Sequence, residues 1–213
     1  MTRGYLLEEV SVTFQYTHQL VSDLPTPRKQ VLLLTCMDLR LLDNTVAFMN
    51  EYNLANRYDQ LAFAGASLGV MHCSSPPYDG DGKGRRASWK DVFFHHFDVA
   101  INELHRNIKD VFIMEHRDCG AYEKFHPTHN YPYGDDQAEQ ALEEMHHREQ
   151  AYALADEIAE FCKRQLKAAE QAPKKGKHAV DPWEAERRVK AWREIKSHCF
   201  LMDLRGEVKH LSR

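Results

Sequence analysis

The chain has 213 residues, 43% hydrophobic and 28% charged, an ordinary globular composition with room for one good core and a helical extension. A formal charge of −4 offers no basic footprint for nucleic acid, and no apolar run approaches the ~18 residues of a membrane span. The polar, acid-containing N-terminus lacks the apolar segment of a signal peptide, so the reading is a soluble, cytoplasmic protein with no membrane partner.

In chain order, residues 5–20 carry Leu6, Leu7, Val10, Phe14 and Leu20 at roughly helical spacing and predict an amphipathic N-terminal helical arm over 1–25. A Pro-containing loop (23–30) leads into "VLLLTC" (31–36), a short continuous apolar run expected of a buried parallel strand. A helix follows over 43–55, and "YDQLAFAGAS" (58–67) holds a second short strand ending in small residues. Residues 74–86 read as a surface loop. Its "DGDGKG" begins like a calcium loop, but Lys83 and Lys90 occupy two ligand positions, so no calcium is expected. Residues 88–104 predict a helix with Ser88 as N-cap, and "DVFIMEH" (110–116) a third buried strand. This rhythm predicts an α/β fold with a mainly parallel central β-sheet flanked by helices, one domain over 1–213.

The last third, 135–197, reads as a helical region before a closing strand. Residues 135–171 form one long polar helix with a thin apolar stripe of Ala138, Leu142, Met145, Tyr152, Ala155, Ile158, Phe161 and Leu166. A basic linker (172–180) precedes a helix over 181–197 with Asp181 as N-cap and Pro182 at its first position. Residues 199–211 read as a strand, a Gly-containing turn and an extended piece returning to the sheet.

Five Cys (36, 73, 119, 162, 199), odd in number and scattered, fit reduced thiols rather than a disulfide scaffold. Cys162 and Cys199 read as core thiols, His72 and Cys73 as a loop near the site, and most of the thirteen His as solvated. The chemistry gathers elsewhere. The first strand ends in "CMDLR" (36–40) and the third in "HRDC" (116–119), and α/β proteins build their sites at such strand ends. If the two strands are neighbours, Cys36, His116 and Cys119 meet at one rim. Two thiolates and an imidazole leave one position of a tetrahedral zinc open, as catalytic sites do, whereas structural sites use four protein ligands. A structural metal, or buried thiols with no metal, remains the competing interpretation of the three. Asp38 and Arg40, beside Cys36, are either a surface ion pair at a helix start or a catalytic pair.

C-x-D-x-R after an early buried strand, then H-x-x-C-G after a later one, resembles the β-class carbonic anhydrases. The resemblance runs from the N-terminal helix to the closing "FLMDLRGEV". It is weakest over the loop 72–87 and the helix 135–171. It implies Cys36, His116 and Cys119 as zinc ligands and Asp38 and Arg40 as the catalytic dyad. It also implies zinc-dependent reversible hydration of CO2 to bicarbonate by zinc-bound hydroxide, and a homodimer or dimer of dimers with the N-terminal helix reaching across the neighbour. Two departures stand out. Ala62-Phe63 replaces the Arg-Asn pair common after the second strand, and Glu115 stands where Gly commonly precedes the His. They predict a more apolar pocket wall. They keep open a related zinc hydrolase for carbonyl sulfide or carbon disulfide, or a non-catalytic zinc-containing homologue.

Overall fold

A computed structural model describes residues 30–74, 88–129, 131–173 and 180–213. The N-terminal arm, nearly all of the loop 74–86 and most of the basic linker lie outside the described residues.

The sequence run "QVLLLT" forms β1 (Gln30–Thr35), and its continuous apolar character has a direct cause: both faces of the strand are covered. Val31 and Leu33 point into one hydrophobic layer and Leu32 and Leu34 into the other. Each such Leu contributes about 1.5–3 kcal/mol by leaving water. The chain then passes through a short 3-10 turn, Leu39–Leu41, into α1 (Leu42–Glu51), which packs Phe48 and Met49 on the Val31/Leu33 face. It returns as β2 (Tyr58–Ala62), parallel to β1.

From β2 the chain crosses to the opposite face through α2 (Ser67–His72) and α3 (Trp89–Asp98), which widens into a π-helical turn at Val99–Glu103. Ser88 stands at the N-cap position as expected, but its side chain makes no capping bond. The chain then enters β3 (Ile108–His116) on the other side of β1. After the short α4 (Gly120–Phe125), α5 (Gln137–Glu170) and α6 (Pro182–Arg193) complete the second layer, burying Ala151, Leu154, Ile158 and Trp192 with Phe93 and Phe97. Asp136 caps α5 and Asp181 caps α6, each accepting from two backbone N–H groups.

β4 (Lys196–Met202) adds parallel to β3, and β5 (Val208–His210) folds back antiparallel, so the sheet order is β2-β1-β3-β4-β5. Cys199 lies within β4 rather than at its start. The β4–β5 turn is held by Asp203, whose Oδ1 accepts from the backbone N–H of Arg205 and Glu207. Gly206 sits there at φ +89°, and a Cβ would stand 2.8 Å from Asn44 Cγ.

The stripe expected along α5 is only partly the buried face. Tyr152, Ala155, Ile158, Phe161 and Leu166 do meet the core. Met145 is 39% exposed and Ala138 is exposed, while Glu143, His146 and His147 are buried in their place. The N-terminal third of α5 is therefore packed through polar side chains.

Candidate metal centre

β1 hands the chain to β2 on one side across one face of the sheet, and receives β3 on its other side from the opposite face. The carboxyl ends of β1 and β3 thus flank a topological switch point, where open α/β sheets form a crevice. Thr35 is in register with Met114, so the next step of β1 sets Cys36 beside the end of β3 at Glu115 and His116.

There one ligand atom each from Cys36, His116 and Cys119 lies within 4.8 Å of the other two. The Sγ atoms of Cys36 and Cys119 are 3.8 Å apart. Two sulfurs bound tetrahedrally at about 2.3 Å to one zinc would stand about 3.8 Å apart, so the spacing fits that ion. His116 Nδ1 donates to the Arg117 carbonyl at 2.8 Å. That fixes the tautomer and leaves the lone pair on Nε2, which is buried without a hydrogen-bond partner. A buried orphan acceptor aimed at two sulfurs is what a metal ligand looks like before the cation is counted.

The thiols behave as a pair. Cys36 is pulled below the ordinary thiol range by the hydrogen bond from Cys119 and by His116. Cys119 is pushed far up by the Cys36 thiolate and by burial. A divalent cation held by both sulfurs would displace the thiol protons. Burial works against charging His116, but the Cys36 thiolate outweighs it and raises the imidazole.

Asp38 and Arg40 come to the same rim. Asp38 caps the 3-10 turn by accepting from Arg40 N at 2.9 Å, and the guanidinium returns on it through Nε (3.0 and 3.2 Å) and Nη2 (2.7 Å). These bonds hold the Asp38 carboxyl at about 2, well below the usual carboxylate range. Asp38 Oδ2 lies 3.8 Å from His116 Nε2.

A recess of about 30 Å³ opens against Cys36, Asp38 and His116, closed by Leu41, Leu42, Met114 and Met202 with Thr35, Thr45 and Gln60. At roughly 10–15 Å³ per water, that is room for two to three waters. Ala62 and Phe63 do not line it; Phe63 turns to the Trp89 ring at 5.8 Å. The "AFAGAS" stretch acts instead through its backbone. Gly65, at φ +76°, donates its N–H to Cys36 Sγ at 3.2 Å. A Cβ there would stand 3.0 Å from the Ala121 Cβ.

Glu115 does not sit in an apolar wall. Its carboxylate, 1% exposed, is surrounded by donors behind the ligands. Oε1 accepts from Ser67 N (3.0 Å) and Ser67 Oγ; Oε2 accepts from Tyr122 Oη (3.1 Å) and His147 Nδ1 (3.0 Å). Tyr122, fully buried, supports the centre from behind rather than lining the recess. The more apolar wall expected from Ala62-Phe63 and Glu115 does not come from them, since none of the three lines the recess: Leu41, Leu42, Met114 and Met202 close it, and a polar cluster lies behind Cys36, His116 and Cys119. One sequence signal pointed to this cluster, an acid inside "VFIMEH", where a buried carboxylate demands partners. Nothing in the sequence identified Ser67, Tyr122 or His147 as those partners.

The remaining candidates stand apart. His72 bonds Gln150 at 2.8 Å, His95 and His96 are exposed, and Cys162 and Cys199 are buried core thiols. Among the described residues, Cys36, His116 and Cys119 form the single group of three or more His, Cys, Asp or Glu arranged for a metal. No helix among the described residues is long and apolar enough to cross a membrane.

No family model matches the chain. Among curated proteins it is 30% identical over 93 residues to an uncharacterized protein of Rickettsia bellii, covering 44% of this chain and 49% of that protein. It is 31% identical over 91 residues to an uncharacterized protein of Rickettsia conorii, covering 43% and 42%. The chain thus spans about half the length of the curated relatives it matches. Among solved structures it is similar to the β-carbonic anhydrase CafA of Aspergillus fumigatus, with 14% identity, TM-score 0.38, and 86% of this chain and 76% of that chain covered. It is also similar to a tetrameric β-carbonic anhydrase of Sordaria macrospora, with 15% identity, TM-score 0.39, and 88% and 83% covered.

Proposed function

We propose that the chain is a β-carbonic-anhydrase-like zinc enzyme that reversibly hydrates CO2 to bicarbonate. One observation carries this reading: Cys36, His116 and Cys119 converge with zinc spacing, and Asp38, fixed by Arg40, lies 3.8 Å from the orphan His116 Nε2. A structural metal site has no use for that second pair.

Cys36, His116 and Cys119 would hold the zinc. When bound, zinc supplies the Lewis acidity that makes water a nucleophile near neutral pH. Asp38, kept ionised by Arg40, accepts a hydrogen bond from the water that adds to the carbon of CO2 and so orients its lone pair. Arg40 holds that carboxylate by a multidentate charge-assisted contact. The recess against Cys36, Asp38 and His116 has room for a small molecule such as CO2. Each bicarbonate formed from CO2 and water leaves one proton for solvent. The apolar side chains that close the recess favour carbonyl sulfide or carbon disulfide as the second reading. Met37, 69% exposed, and Leu39, 90% exposed, flank Asp38 on the surface and are the apolar contacts that a homodimer or dimer of dimers would cover.

The test is stopped-flow CO2 hydration by the zinc-loaded protein, beside an assay for sulfide release from carbonyl sulfide. CO2 hydration lost in both Asp38→Ala and Cys119→Ser is the expected result. A zinc-replete protein silent in both assays overturns the enzymatic reading. A protein that binds no zinc, and that Cys119→Ser leaves unchanged, overturns the metal.

A further inference from the structure

The Arg40 guanidinium uses all of its faces. Nε and Nη2 hold Asp38, while Nη1 donates to Asp118 Oδ2 at 2.7 Å and Nη2 to the Asp118 carbonyl at 2.9 Å. Asp118 lies between the two ligands of the turn His116–Cys119, in a left-handed conformation at φ +54°. That conformation is costly for a residue with a side chain and needs outside support.

The support comes from α5. Glu143, 4% exposed, accepts from Asp118 N through Oε1 at 2.6 Å and from Arg117 Nη1 through Oε2 at 2.8 Å. A buried carboxylate thus clamps the ligand turn from inside, and the same turn grips Arg40 from outside. An unbroken polar chain runs Glu143, Asp118, Arg40, Asp38, and ends 3.8 Å from His116 Nε2. Arg40 is 43% exposed, and an exposed Arg–Asp pair by itself is a weak restraint. Two carboxylates on two edges of one guanidinium stop it from rotating.

We propose that Asp118 is a positioning residue for the Asp38–Arg40 pair, held in place by Glu143, so that one turn sets both the metal ligands and the orienting carboxylate. This rests on the reading of the centre as a zinc enzyme. Asp118→Gly separates backbone from side chain, because Gly accepts the left-handed conformation while the carboxylate is lost. The expected result is zinc retained in chelator competition and kcat for CO2 hydration lowered about 10-fold at little-changed KM, the scale of a lost supporting contact. The Arg40 Nη signals in 15N-resolved NMR, distinct in the parent protein, should merge as the guanidinium begins to rotate. Asp118→Asn, which keeps an acceptor and tolerates the same backbone, should recover part of both. Glu143→Ala, which removes both acceptors and so releases the turn itself, should weaken zinc binding as well. Unchanged kcat together with slow Arg40 rotation in Asp118→Gly overturns the proposal. If the parent protein proves inactive on CO2, the enzymatic reading fails, and the NMR comparison still decides whether Asp118 holds Arg40.

Discussion

Removing Glu115 is the sharpest test of how the centre is built. Four donors end on this carboxylate: Ser67 N and Oγ, Tyr122 Oη and His147 Nδ1. Ser67, Tyr122 and His147 are all 0% exposed, so none can turn to solvent when Glu115→Ala deletes their acceptor. Each stranded donor costs about 1–3 kcal/mol, and a cavity is left as well. The void is polar, however, and large enough for one or two waters that would satisfy some of the donors. The net loss expected is about 4 kcal/mol, within the range for stripping one partner from a buried polar pair. For a chain of this length, that lowers Tm by about 10 °C. Urea unfolding followed by tryptophan fluorescence reads it, with Trp192, 2% exposed, as an internal probe. Glu115→Gln keeps the volume and an acceptor for Ser67, and should cost only about 1–2 kcal/mol. A Glu115→Ala protein within about 1 kcal/mol of the parent would show that the cluster does not hold α2, α4 and α5 to the end of β3, and the argument would be wrong.

Zinc titrated into weakly buffered metal-free protein at pH 7 should release at least one proton per ion, because Cys36 and Cys119 would bind it as thiolates and Cys119 is held protonated beside Cys36; a pH-stat reading of none refutes ligation by the two thiols. A second expectation concerns acid. Burial, with His146 and His129 alongside, pulls His126 down to about 4, whereas an unfolded His titrates near ~6.5. Between those values the unfolded chain takes up a proton that the folded state refuses, so stability is intact above the window and falls as pH drops through it. The urea midpoint should be lower at pH 4.5 than at pH 7.5, and His126→Phe, which keeps a ring against Tyr122 and His146, should flatten that slope.

The parts of the fold that sequence exposes are those in which apolar area decides. β1 and β3 are visible because both sheet faces cover them, so their central residues, Val31–Leu34 and Val111–Met114, are apolar without interruption. The ligands follow from the same fact, since Cys36 and His116 fall where two such runs stop. The first third of α5 was not legible. Hydropathy sorts side chains by their preference for water, and Glu143, His146 and His147 are buried against it, each hydrogen-bonded to a residue outside the helix. The stripe was therefore drawn through Met145 and Ala138, which face outward. Asp118 was hidden for a different reason: its backbone conformation and its bond to Arg40 depend on a carboxylate 25 positions further along the chain.

Glu115 and the buried polar face of α5 belong together. Glu115 departs from the small residue expected before the histidine ligand, and the long helix is the segment least like the expected family. The structure joins the two. An acid buried behind His116 is tolerable only if donors reach it, and α5 brings His147 to Glu115 and, one turn earlier, Glu143 to the ligand turn. His147 Nε2 lies 4.0 Å from Glu143 Oε1, so the two contacts share one face of one helix. A helix packed by apolar residues alone could slide or rotate by small amounts at little cost. One that ends its hydrogen bonds on both sides of His116 cannot do so without breaking them. The departure at Glu115 and the polar face of α5 are thus one structural feature, and it bears on the rigidity with which His116 and Cys119 are held at the candidate metal centre.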